Sequence, residues 1–250
     1  MVSECALPGV TDEAGRVAAA ADSAGVTLRV TGGVGVALTC DSAGDELLAR
    51  PYSDIDMVGH AKERKAIIEL LSGMGYIPDD TFNAVHGARR LFFWDEDNKR
   101  QFDVFLDKVE MCHVIDLRDR LRGPGPAVTH ADLLLMKLQI VESNDKDLRD
   151  IVCLLTDQDF TDGDDAGIDL TYLAGLAAGD WGLWRTITMV ARLADAWATQ
   201  LPGLSSRERV HEQVSRFIEA LEESPKSRAW KLRARVGERK RWYTLPEEAH

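Results

Sequence analysis

The sequence contains no apolar run long enough to cross a membrane. Its longest, residues 133–136 and 17–21, fall far short of the ~20 such a span takes. Its opening residues are acidic, without the positively charged start of a secretory signal, so a cytoplasmic location is the expectation. Cysteine is also scarce. The four thiols, Cys5, Cys40, Cys112 and Cys153, are widely spaced and form no CxxC pair, which excludes a disulfide framework and a zinc knuckle and leaves reduced, mostly buried thiols. Cationic charge is in deficit, with 30 Lys and Arg against 42 Asp and Glu and a formal net charge of −12. That balance disfavours a general polyanion binder, because phosphate contacts need a cationic surface. The positive charge that exists is concentrated: residues 226–241 hold Lys226, Arg228, Lys231, Arg233, Arg235, Arg239, Lys240 and Arg241 against Glu238 alone.

What is abundant is apolar surface. With 250 residues and 45% hydrophobic composition, the chain can bury a sizeable core as one large domain or two small ones. Residues 12–24 predict a helix stopped at Gly25, and residues 26–30 alternate as a strand that runs into Thr31-Gly32-Gly33 and a short helix to about residue 39. After a polar loop ending in the Pro51 turn, residues 54–58 read as a strand and 61–74 as an amphipathic helix ended by Gly75. Residues 89–94 and 100–106 form a hairpin about a polar turn, and 111–115 add a further strand. This order predicts an α/β (α+β) fold with a small mixed sheet flanked by helices. A Gly-Pro-Gly-Pro loop at 123–126 separates two domains, 1–122 and a helical 127–250. The helical part begins with a capping box, Thr129 to Asp132, before a helix over 133–142. Further helices follow over 145–155, 169–179, 181–200, 206–222 and 226–241. The acidic stretch 157–165 departs from the EF-hand ligand order and reads as a solvated linker.

The stretch Ser53-Asp54-Ile55-Asp56-Met57 carries the chemistry. Strand alternation turns Asp54 and Asp56 to one side and Ile55 and Met57 to the core, so the two carboxylates can share a divalent ion. Alone, that pattern also describes the wet face of an ordinary strand. Asp103, set between Phe102 and Val104 in a predicted strand, changes the balance, because β-structure disfavours Asp without a reason. If the two strands are neighbours, three carboxylates converge and repel one another unless metal ions neutralise them. Gly32 and Gly33, between a strand and a helix start, can present N–H donors and a positive dipole end to phosphates.

Together, Val30-Thr31-Gly32-Gly33, Ser53-Asp54-Ile55-Asp56-Met57 and Gln101-Phe102-Asp103-Val104-Phe105 resemble the hG[GS], DhDh and hDh signature of the DNA polymerase β-like nucleotidyltransferase superfamily. Within it, Leu135-Met136-Lys137-Leu138 and Asn144-Asp145-Lys146-Asp147-Leu148-Arg149-Asp150 are most similar to the AbiEii-like, toxin-type branch. The resemblance covers about residues 25–155. It implies transfer of NMP from an NTP to a hydroxyl acceptor. Two Mg2+ ions on Asp54, Asp56 and Asp103 would serve as cofactors, with the nucleotide contacted by Gly32, Gly33, Lys137, Lys146, Asp147 and Asp150. It also implies an RNA or tRNA acceptor and a protein antitoxin partner. Two alternatives stay open: an aminoglycoside- or lincosamide-type antibiotic nucleotidyltransferase, whose cationic substrate suits an acidic protein, and an inactive nucleotide-binding module. A glycine where the motif allows serine leaves one hydroxyl fewer for the phosphates.

On the residues alone, Lys146, Asp147 and Asp150 share one helical face, as an ordinary ion pair also would. Lys137, set in an apolar run, must snorkel out or meet an anion. His86, His113 and His130 have no ligand spacing and read as surface or hydrogen-bonded core residues. Trp181, Trp184 and Trp197 recur along one predicted helix as packing. Trp230, Trp242 and Tyr243 either stack on nucleotides or belong to a basic helix docked on the acidic body.

Overall fold

The computed structural model describes residues 6–123, 125–164 and 167–245; Cys5, Pro124 and Asp165 lie outside them. The chain forms two compact units. The first comprises the segments up to Thr39, Arg50–Val109 and Ile115–Val128, and the second Cys40–Ala49, Glu110–Val114 and the chain from Thr129 on.

The first unit opens with α1 (Val10–Ser23), whose Ala14, Val17, Ala18 and Ala21 are buried at helical spacing. The chain leaves it through Gly25 at φ +70°. Then follow β1 (Leu28–Thr31), α2 (Gly32–Thr39), β2 (Asp54–Gly59), α3 (Arg64–Gly73), β3 (Ile77–Pro78), α4 (Asp80–His86), β4 (Arg90–Asp95) and β5 (Arg100–Leu106). The strands form one five-stranded mixed sheet in the order β1-β2-β5-β4-β3. Only β2 and β5 run parallel; the other pairs are antiparallel. One sheet face is core: Ile55, Met57, Leu91, Phe93, Phe102 and Val104 are fully buried with Ala14, Val17, Ile67 and Leu71. Each such side chain contributes roughly 1.5–3 kcal/mol of burial.

The element not foreseen from sequence is α4 with its lead-in strand β3. It is too short for helical periodicity, and polar contacts hold it. Asp79 caps it by accepting from the Phe82 N–H at 2.8 Å. Asn83 then accepts from the Phe92 N–H at 2.7 Å and donates to the Phe92 carbonyl at 3.0 Å, completing the ladder of β4 where β3 has ended. The strand expected over 111–115 is instead a short ladder of β6 (Lys108–Glu110) and β7 (Val114–Asp116).

The second unit is built on α5 (His130–Leu138), α6 (Asp145–Asp157), β8 (Phe160–Thr161), β9 (Ile168–Asp169), α7 (Leu170–Gly179), α8 (Trp181–Gln200), α9 (Arg207–Glu223) and α10 (Arg228–Val236). Thr129 caps α5 as predicted, but the helix ends at Leu138, short of 142. The segment expected to be a solvated linker is tied down. Asp157 accepts from the Ser42 N–H at 2.9 Å, Asp159 pairs with Arg209 at 2.9 Å, and β8 and β9 form a parallel ladder. Phe160 stacks on Phe217 at 5.6 Å. Cys40, Cys112 and Cys153 are buried as thiols.

The basic segment docks by its aromatic side. Trp230 meets Trp184 edge-on at 5.3 Å, Trp242 meets Trp181 at 5.9 Å, and the Arg233 guanidinium lies 4.6 Å over Trp181. Arg228, Lys231, Arg235, Lys240 and Arg241 are exposed. The rings at 230 and 242 are therefore packing for α8.

Candidate active site

The sheet face opposite the core carries the polar residues, and strand register arranges them in rows. The central row is Thr31, Asp56, Asp103 and Phe92, each directly opposite the next across β1, β2, β5 and β4. A second row holds Asp54, Gln101 and Trp94, and a third Arg29, Val58, Phe105 and Arg90. Side chains directly opposite on one face stand ~5 Å apart. The parallel β2–β5 pairing thus sets Asp56 beside Asp103, with Asp54 one row along.

Exposure falls across the three acids: Asp54 is exposed, Asp56 half-buried, and Asp103 only 4% exposed. A buried carboxylate needs a partner. Arg90 is that partner, with its Nε donating to Asp103 Oδ1 at 2.6 Å and its guanidinium lying 5.7 Å over Phe82 and 5.1 Å over Phe105. Burial pushes the Asp103 carboxyl above the ordinary aspartate range, the Arg90 guanidinium pulls it partway back, and the Asp54 charge adds a further push upward. Sequence reading missed Arg90. The signal was its place in the β4 alternation, two residues before Phe92 on the same face.

Gly32 closes the site from the β1 side. Its φ of +63° suits glycine, and a Cβ there would stand 2.5 Å from Asp56 Oδ2. Thr31 immediately precedes α2 and could cap it, yet its buried hydroxyl has no hydrogen-bond partner among the described residues. The first N–H groups of α2, which have no intrahelical acceptor, are thus left uncapped by that side chain.

As the side chains lie, no three His, Cys, Asp or Glu residues among those described are close enough to enclose a metal ion. Asp103 is turned to Arg90. The donor set itself suits a hard divalent cation, since carboxylate oxygens are what magnesium takes.

The other predicted contacts lie in the second unit. Lys137 Nζ pairs with Asp147 at 3.0 Å and Asp150 at 2.9 Å. Burial would lower its pKa, but the Asp150 and Asp147 carboxylates outweigh that and hold it above the ordinary lysine value. The pairing accounts for a lysine in an apolar run without a nucleotide. Lys146 is exposed, and Asp147 also closes the capping box with Asn144 at the start of α6. His113 bonds Thr186 at 2.8 Å, and the His86 ring packs against Phe82 at a tilt, with centroids 4.7 Å apart.

No protein-family model matches the chain, and no curated protein matches it. Among solved structures that align with it in part are two antibiotic-related proteins. The lincosamide antibiotic adenylyltransferase LnuA, with lincomycin bound, is 17% identical over 54% of this chain and 90% of its own, at a TM-score of 0.36. The antibiotic-resistance factor ANT(2'')-Ia is 13% identical over 54% of this chain and 77% of its own, at a TM-score of 0.35. Likeness at that level fixes neither substrate nor chemistry.

Proposed function

We infer that this chain is a metal-dependent nucleotidyltransferase that moves NMP from an NTP to a hydroxyl acceptor. The observation that carries the reading is the direct apposition of Asp56 and Asp103 on neighbouring parallel strands, beside a Gly32 turn that touches Asp56. Carboxylates so placed repel one another, and a fold keeps such repulsion where something cationic is to be bound.

In this reading the N–H groups at Gly32 and Gly33 and the start of α2 hold the terminal phosphates. Asp54, Asp56 and Asp103 would hold magnesium, which would neutralise charge on the phosphates and lower the pKa of the attacking hydroxyl. The acceptor oxygen forms its bond to the α-phosphorus as the bond from that phosphorus to the bridging oxygen breaks, and pyrophosphate leaves with the electron pair. The hydroxyl proton passes to a carboxylate oxygen of Asp103, the acid nearest the acceptor. Arg90 keeps the Asp103 carboxylate oriented through Oδ1.

RNA is the preferred acceptor, supported by the exposed cations of 228–241. A cationic antibiotic is the second reading, supported by the net charge of −12. Incubation with each labelled NTP, magnesium and cell extract identifies which molecule gains label. Asp103→Asn is expected to abolish transfer while leaving the unfolding transition cooperative; retained turnover in that variant refutes the assignment.

A further inference from the structure

The row order across the sheet gives the site a direction. The phosphate turn lies on β1, Asp56 on β2, Asp103 on β5 and Phe92 on β4. With strands ~4.8 Å apart, Thr31 and Phe92 are separated by about 14 Å. In phosphoryl transfer the attacking and leaving oxygens lie roughly in line with phosphorus. Pyrophosphate leaving over β1 therefore requires the acceptor to enter from the β4 side.

That side is aromatic. Phe92 stands beside Asp103 and Trp94 beside Gln101, both on the face opposite the core and both half-buried. Phe82 of α4 adds a third half-buried ring, 5.8 Å from Phe92. Around these rings arginines stand among the aspartates of the site, Asp103 beside Phe92 and Asp54 in the row of Trp94. Arg90 lies over Phe82, Arg64 reaches the Asn83 carbonyl of α4, and Arg89 is exposed just before β4.

We propose that Phe92, Trp94 and Phe82 form a stacking shelf for an unpaired nucleobase of a single-stranded RNA acceptor, placing its hydroxyl at Asp103. The proposal rests on the nucleotidyltransferase reading and fixes the acceptor class. Flat π surface next to arginine matches a base and its phosphate.

The test compares a short single-stranded RNA oligonucleotide with an abasic strand of equal length and charge, so that backbone contacts elsewhere on the protein cancel. Wild type is expected to bind the base-bearing strand about tenfold tighter or more. Phe92→Leu/Trp94→Leu keeps apolar volume and loses the flat faces, and it is expected to bring the two strands to within about twofold of each other. NTP affinity, read by competition, verifies that this variant is folded. Equal wild-type affinity for the two strands, or a preference that survives in the variant, overturns the shelf, as does transfer to a cationic aminocyclitol with no base-dependent RNA binding. Transfer is assayed separately. Base-dependent binding without transfer keeps the shelf and removes the transferase reading; transfer to RNA without base-dependent binding does the reverse.

Discussion

Replacing Arg90 by Met keeps the apolar stem against Phe82 and Phe105 while removing the charge that faces Asp103. The Asp103 side chain is 5% exposed and that of Arg90 29%, so the pair lies between two regimes. Breaking a fully buried pair costs roughly 3–5 kcal/mol, whereas an exposed one contributes about 0–1 kcal/mol. Discounting for the open side of Arg90 gives about 2 kcal/mol, or roughly 4–8 °C in Tm for a chain of this size. The assay is a double-mutant cycle in urea with EDTA present, combining Arg90→Met and Asp103→Asn. If the guanidinium acts on the carboxylate, the double variant is less destabilised than the sum of the singles by about 1 kcal/mol or more. The penalty also depends on pH. Burial and Asp54 raise the folded-state pKa of Asp103 above its unfolded value, so ionised Asp103 costs stability above that pKa. The cost is recovered as pH falls through it, and without Arg90 the proton is taken up earlier. The Arg90→Met penalty should therefore shrink as pH falls from neutral toward the ordinary aspartate range. Costs that add within about 0.5 kcal/mol and do not change with pH would refute the ion pair and leave Arg90 as packing.

Three further expectations follow from other parts of the molecule. Gly32→Ala forces a side chain into left-handed backbone 2.5 Å from Asp56 Oδ2, so stability should fall by about 2 kcal/mol or more in denaturant titration, with weaker NTP binding. Lys137→Met leaves buried Asp150 without its cation and should cost roughly 3–5 kcal/mol; adding Asp150→Asn should recover part of that loss, and failure to do so would disprove the triad's role. Burial lowers the His113 pKa below its ordinary value, partly offset by Asp180, so the contribution of this residue is full above about pH 6.5 and lost as pH falls through the lowered value. His113→Gln should flatten thermal stability between about pH 5 and 7, measured as Tm against pH beside wild type.

Much of the fold was legible because its signals are local. Helix propensity marked α1, apolar residues at helical spacing marked α3, alternation marked β1 and β2, a polar turn between two apolar runs marked β4 and β5, and Thr129 marked the start of α5. Elements held by distant partners were not legible. The helix α4 depends on Asn83 reaching the backbone of Phe92, 9 residues on, and the acidic stretch after α6 is ordered by Ser42 and Arg209, 115 and 50 residues away. The segment Cys40–Ala49 belongs to the second compact unit, although chain order places it between β1 and β2 of the first.

By itself the sequence determined which side chains could meet on one strand face. A period of two turns Asp54 with Asp56 and Asp103 away from Phe102, whatever the strands do next. It could not determine which strand lies beside which. Only the parallel pairing of β2 with β5 sets Asp56 against Asp103, and only the antiparallel return of β4 brings Arg90 to that carboxylate and Phe92 beside it. Register is a property of strand pairs, fixed by the burial of Ile55, Phe102 and Phe93 on the opposite face, and a slip of one residue would have turned every one of these groups inward.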